Sequence, residues 1–126
     1  MENCEVYAKL TAESLKASST LSWCLIGMTN YYTQDLGLQY IDKYIFPFLA
    51  NIKELLKNTD IMDFKQSDTY KRFMLGLENT LKSCIKTVNA ENPKELFPGA
   101  NLDVLNTSMY RIIEEVKEIN NSLATN

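Results

Sequence analysis

Leu102-Asp103-Val104-Leu105-Asn106-Thr107-Ser108-Met109-Tyr110-Arg111-Ile112-Ile113-Glu114-Glu115-Val116-Lys117-Glu118-Ile119-Asn120-Asn121-Ser122-Leu123 decides the fold of this chain. Its apolar residues Leu102, Leu105, Met109, Ile112, Val116, Ile119 and Leu123 recur at alternating spacings of three and four, which on a helix of 3.6 residues per turn gives one continuous stripe. Such a stripe is buried against other helices or against another copy of the same one. Two further stretches repeat the pattern: Leu38, Ile41, Ile45, Phe48, Ile52, Leu55, and then Tyr70, Met74, Leu77, Leu81, Cys84, Val88.

The first third of the chain carries a weaker version. Val6, Leu10, Ala17, Leu21, Cys24, Leu25 and Met28 share a side of a helix running from about Asn3 to Tyr32, but Glu13 and Ser14 fall where a core residue belongs. The polar run Lys16-Ala17-Ser18-Ser19-Thr20 predicts a bend or restart near Thr20. Thr33 to Gly37 reads as the turn, with Thr33 or Asp35 as N-cap of a second helix, about Asp35 to Lys57. Pro47 lies inside that helix, where it removes a hydrogen bond and clashes with the preceding turn, so a kink is expected there. Asn58 to Asp68 is a polar break whose Ile61, Met62 and Phe64 fold back onto the core. Ser67 or Asp68 caps a third helix, about Thr69 to Asn89. Asn92-Pro93 starts a single helical turn over 93–97 that Pro98-Gly99 ends, and Asn101 or Asp103 starts the last helix. The expected fold is all-α: one domain over 1–126, a four-helix bundle of antiparallel up-down type, kinked at Pro47, with an extra turn near 93–97.

The chain has 126 residues, 45% of them apolar, enough for one domain with a core of its own. A net charge of −3 gives no field that favours duplex nucleic acid. No apolar run approaches the roughly 20 residues of a membrane span, so no membrane insertion is expected. Three widely spaced cysteines and a start, Met1-Glu2-Asn3-Cys4-Glu5, without the basic and apolar regions of a secretion signal point to a reducing, cytoplasmic setting.

Histidine is absent altogether. That removes the commonest general base, the Ser-His and Cys-His nucleophile systems, and the usual ligand sets of zinc and di-iron bundles. Cys24 and Cys84 lie on apolar stripes as small hydrophobes. No phosphate-binding or calcium-binding loop spacing occurs. Carboxylates remain: Glu114 and Glu118 stand one turn apart, as a magnesium-dependent enzyme subunit would need, but no second acidic pair accompanies them. No catalytic residue, cofactor or metal is therefore assigned.

Surface residues suggest contact with another macromolecule. Tyr40 and Tyr44 are one turn apart beside the second stripe, next to Phe46-Pro47-Phe48, and rigid amphipathic rings of this kind are favoured at interfaces. Lys71, Lys82 and Lys86 lie within about 60° of one another on the third helix, a basic face for an acidic partner or for the acidic flank of the fourth helix. The expected partner surface is Tyr40, Tyr44, Phe46, Pro47, Lys71, Lys82 and Lys86. The expected function is non-catalytic protein–protein interaction, with another protein or as a homo-oligomer. The alternative is a bundle that opens at Pro47 around an apolar molecule, lined by Met28, Met62, Met74 and Met109.

Overall fold

The computed structural model describes residues 2–124; Met1, Thr125 and Asn126 lie outside them. The described residues form helices and connecting turns, with no strand: α1 (Glu2–Met28), α2 (Gln34–Tyr40), a π-helical turn (Ile41–Ile45), α3 (Phe46–Lys57), α4 (Ile61–Lys65), α5 (Tyr70–Val88), α6 (Pro93–Leu96) and α7 (Leu102–Ala124). No helix among them is long and apolar enough to cross a membrane.

Pairwise contacts give the directions of the long helices. Gly37 approaches Cys24 and Met28 while Asn51 hydrogen-bonds Glu13, so α1 and the 34–57 segment are antiparallel. Thr11 reaches the carbonyl of Thr69 and Ser14 abuts Gly76, so α1 and α5 run in the same direction. Arg111 covers Phe46 and Lys53 pairs with Glu115 and Glu118, so α3 and α7 are also parallel neighbours. The chain alternates direction, yet only α1/α3 and α5/α7 meet as antiparallel neighbours; α1/α7 and α3/α5 lie across the diagonals. An all-antiparallel ring would need α7 beside α1. The connection 58–69, which includes α4, instead crosses the end of the core, and Phe64 anchors it with rings of Tyr7, Tyr70 and Phe73 at 4.9, 5.3 and 5.1 Å.

The inward face of α1 is Tyr7, Leu10, Ser14, Ala17, Leu21, Cys24 and Met28, unbroken 3-4 spacing once a serine is accepted as a core residue. Ser14 is completely buried, its hydroxyl donating to the carbonyl of Thr11, which satisfies the group without a partner on another helix. No bend or restart occurs near Thr20, because Ala17 and Leu21 hold the core side while Ser18, Ser19 and Thr20 stay on the outer half of the helix. α1 ends at Met28, four residues earlier than expected, and the turn is 29–33. Thr29 and Thr33 hydroxyls donate to the carbonyls of Ile26 and Gly27, closing the helix. Gly37 is accordingly within α2, packed against Met28 and the Cys24 carbonyl.

The buried set in 34–57 is Gln34, Gly37, Ile41, Ile45, Leu49, Ile52 and Leu56 rather than the stripe through Leu38, Phe48 and Leu55, which are half-buried. The π-helical turn explains the shift. It lies immediately before Pro47, which cannot donate to the preceding turn; a wider turn accommodates the ring and moves the core face by about a residue. Helical dihedrals at Tyr40, Ile45 and Phe46 carry the segment through without separating it into two helices.

α5 buries Phe73, Gly76, Leu77, Thr80, Cys84 and Thr87, and keeps Tyr70, Met74, Leu81 and Val88 half-buried. Thr80 and Thr87 satisfy themselves by donating to the carbonyls of Gly76 and Ser83. Gly76 on the same face abuts Ser14 of α1, while Tyr70 and Phe73 pack on Phe64 of α4. The α7 stripe is buried as its spacing predicts, widened by Ser108 and Ile113, with Leu102 half-buried. The turn at 93–96 forms with Pro93 in its first position, Asp60 caps α4 by accepting from Asp63 N–H, and Asn101 caps α7 by accepting from Val104 N–H. Thr69, not Ser67 or Asp68, occupies the N-cap of α5, without a side-chain capping bond; its hydroxyl pairs with that of Ser67, which donates to the Phe64 carbonyl.

Two predictions follow from this packing. A Cβ at Gly76 would stand 2.7 Å from backbone atoms of Ser14, whereas one at Gly27 meets only the Thr33 hydroxyl at 3.8 Å. Gly76→Ala is expected to destabilise by about 2–3 kcal/mol in urea unfolding, as α1 and α5 are forced apart, and Gly27→Ala to be neutral or to stabilise by up to ~1 kcal/mol. The Tyr7 hydroxyl donates to Asp63, and that bond, with burial and the charges of Asp63 and Asp60, pushes its pKa up to about 12 from 10.0. The stabilisation is complete below pH 10 and is lost as the pH rises through 12. Tyr7→Phe should cost ~1–2 kcal/mol at neutral pH and flatten the fall in thermal midpoint over that range, since the remaining titrating groups are common to both proteins.

Candidate interaction surface

Residues 17–34 contain no charged side chain, the longest such run in the chain. In the helical part of it, Ala17, Leu21, Cys24 and Met28 are claimed by the core. That leaves Ser19, Ser22, Trp23 and Ile26 on the outer face, with Trp23 75% and Ile26 64% exposed. The turn adds Tyr31 at 69% and Tyr32 at 91%, their rings edge to face at 5.7 Å. Isolated exposed apolar residues are ordinary; four large ones on a charge-free segment are not.

The surface is held rigidly. Backbone bonds from Thr29 to Ile26, Asn30 to Gly27, Thr33 to Asn30 and Gly37 to Thr33 lock the turn, and the Asn30 side chain accepts from Tyr32 N–H. Gly99, in the left-handed region at φ 79°, lies beneath the Tyr31 ring, where a Cβ would be 3.0 Å away. The buried Gln34 side chain donates to the carbonyl of Pro98 and ties the same turn to the segment after α6.

Grooves flank the α1 ridge. On one side Ser22, Leu25, Ile26 and Thr29 face Ser83, Lys86 and Thr87 of α5 and Leu96 and Phe97 across an apolar cleft of about 350 Å³. On the other, Trp23, Gly27, Leu36 and Tyr40 border a smaller depression of about 190 Å³ between α1 and α2.

The residues expected to form a partner surface are divided among three places. Tyr40 and Tyr44 meet edge to face at 5.5 Å, Tyr44 stacks on Phe48, and Tyr40 reaches the depression beside Trp23. Phe46 points the other way, under the Arg111 guanidinium of α7 at 4.2 Å, and Pro47 is exposed in the first turn of α3. Lys71, Lys82 and Lys86 are exposed on α5, and only Lys86 borders the cleft against α1. The acidic flank of α7 does not face them: Glu115 and Glu118 both pair with Lys53 of α3, and Glu114 with Lys117 of its own helix. Burial alone would lower the Lys53 pKa, but its bonds to the two carboxylates prevail and raise it. The carboxylates considered for magnesium are thus already in ion pairs, and among the described residues no group of three or more acidic, cysteine or histidine side chains is placed to hold a metal. Met28 and Met109 are fully buried in the core, while Met62 is half-exposed on α4.

The partner surface read from the sequence leaves out Trp23, Ile26, Tyr31 and Tyr32, and with them the continuity of this face. The signal that finds them is the run without charge.

Burial raises the thiol pKa of Cys24 and pushes that of Cys84 up to about 12, whereas Cys4 is exposed. With excess iodoacetamide at pH 8, peptide mapping should find Cys4 alkylated first and Cys84 modified only under denaturing conditions. Rapid alkylation of Cys84 in the native protein would contradict the packing of α5 against α1. No protein-family model matches this chain, and no curated protein and no solved structure matches it.

Proposed function

We propose that the chain is an up-down four-helix bundle, cytoplasmic and non-catalytic, that acts by binding a protein partner through the outer face of α1 and the turn after it. One observation carries this reading: Trp23, Ile26, Tyr31 and Tyr32 stand exposed on eighteen consecutive residues without a charge. Interface cores are depleted in charge and enriched in Trp and Tyr, and residues of these types supply most of the binding energy where it has been dissected. The locked turn lowers the ordering cost of docking. Tyr40, at the edge of the adjoining depression, extends the surface, and Tyr44 continues it along the π-helical turn. Lys82 and Lys86 offer a basic margin on the α5 side.

A second reading, a small apolar molecule, is supported by the cleft lined by Leu25, Ile26, Leu96 and Phe97. Its volume is at the lower end of the range for ligand sites, and it is open along one side.

Native mass spectrometry of the protein purified gently from its own host separates the two. A second chain retained at 1:1, and weakened at least tenfold by Trp23→Ala at unchanged thermal midpoint, is the expected result. A bare 14.5 kDa monomer carrying added small-molecule mass would favour the cleft, and an unmodified monomer at every concentration would count against both.

A further inference from the structure

A helix face that must meet its own copy across a twofold axis is restricted in a way that a face meeting a different protein is not. Each residue near the axis lies close to its symmetry mate, so any charge there opposes the same charge. α5 presents Lys71, Arg72, Glu78, Lys82 and Lys86 to solvent, α7 presents Asp103, Arg111, Glu114, Lys117 and Glu118, and α3 presents Glu54 and Lys57. The outer face of α1 beyond Lys16 presents none until Asp35. On an acidic chain it is the long helical face that can lie against itself without bringing like charges together.

Its relief suits the same contact. Ser19, Ser22, Trp23 and Ile26 follow the three-and-four spacing of a packing ridge, and the two serines leave room for a second backbone. Beside the ridge is the apolar cleft between α1, α5 and α6, large enough to receive a ring, with Lys86 at its edge. The area is adequate. Aromatic side chains carry roughly 150–250 Å² each, so at their observed exposures Trp23, Tyr31 and Tyr32 with Ile26 offer on the order of 600 Å². A standard interface needs about 800 Å² per partner, and the serines and cleft walls supply the remainder.

We infer that the partner is a second copy of this chain: the charge-free outer faces of two α1 helices pack about a twofold axis, and Trp23 of each copy enters the α1/α5/α6 cleft of the other. The inference rests on the interaction reading above and specifies its occupant. Lys86 is then placed to lie over the incoming indole as a cation over a ring.

The chain has a single tryptophan, so its emission reports this contact directly. Sedimentation velocity and tryptophan emission are measured on the intact protein across roughly 0.1 to 100 μM, three decades of concentration around a micromolar dissociation constant. The expected result is a species of twice 14.5 kDa, with an emission maximum that moves to the red on dilution at the same midpoint as the mass. Trp23→Glu, and independently Ser22→Arg, which leaves the reporter in place, should give monomers that unfold at the thermal midpoint the wild-type protein shows once diluted to its monomer; Ser22→Arg should emit as exposed tryptophan at every concentration. A wild-type monomer at 100 μM overturns the inference. So does a dimer whose emission is that of exposed tryptophan throughout, or one that survives both substitutions; either leaves the broader interaction reading standing through another face. A monomer that also retains no chain from its host removes both.

Discussion

The contact between Ser14 and Gly76 is the constraint on which the rest of the structure depends. At this point the backbones of α1 and α5 come so close that even a methyl group would overlap Ser14. Close approach is gained by giving up side-chain volume: Thr11, Ser14 and Ala17 on one helix and Gly76, Thr80 and Thr87 on the other are small residues, and each buried hydroxyl satisfies itself on its own helix. Two helices so joined in parallel cannot be linked by a short turn. The segment 58–69 must cross one end, and the rings of Tyr7, Phe64, Tyr70 and Phe73, with the Tyr7–Asp63 bond, hold it there. α3, antiparallel to α1, and α7, antiparallel to α5, then occupy the remaining sides and run parallel to each other.

How far the sequence disclosed this fold depends on residue size and chemistry. Along α7 every core position is a large hydrophobe except Ser108, and the periodicity alone places the helix and its buried face. Between Gln34 and Lys57 the same periodicity identifies a helix but misplaces the face, because Pro47 alters the backbone repeat over Ile41–Ile45 and a fixed count of residues per turn no longer applies. α1 and α5 are harder. Their mutual face is built from Ser, Thr, Ala and Gly, which hydropathy cannot distinguish from a surface, so Ser14 looked like a defect in the stripe when it is the tightest point of the core. Helix order is not encoded in periodicity at all; it follows from which faces are flat enough to approach.

The candidate surface was partly legible for a related reason. Aromatic pairs one turn apart, such as Tyr40 and Tyr44, stand out in a sequence, and they direct attention to α2 and α3. Phe46 and Pro47 seem to belong with them by proximity in the chain, but consecutive helical residues point in different directions, and Phe46 faces α7 beneath Arg111. Trp23, Ile26, Tyr31 and Tyr32 are spread over ten positions and come together only when α1 is known to end at Met28 and the turn to fold back over Gly99.

The distribution of size along α1 is inverted from what a solitary amphipathic helix would have. Its inward face toward α5 holds some of the smallest residues of the chain, while its outward face holds the only tryptophan, fully three-quarters exposed. Burying a large apolar side chain is worth about 1.5–3 kcal/mol, so the placement forgoes stability in the isolated chain. Substituting a charged residue at Trp23, Ile26 or Ser22 would disturb no core contact, and helix propensity would not oppose it. Charge is nevertheless missing from this face and present on the outer faces of α3, α5 and α7. From Ala17 to Met28 α1 carries no charge on its outer face, and the same small residues that bring α5 near α1 leave that outer ridge supported by a closely packed backbone.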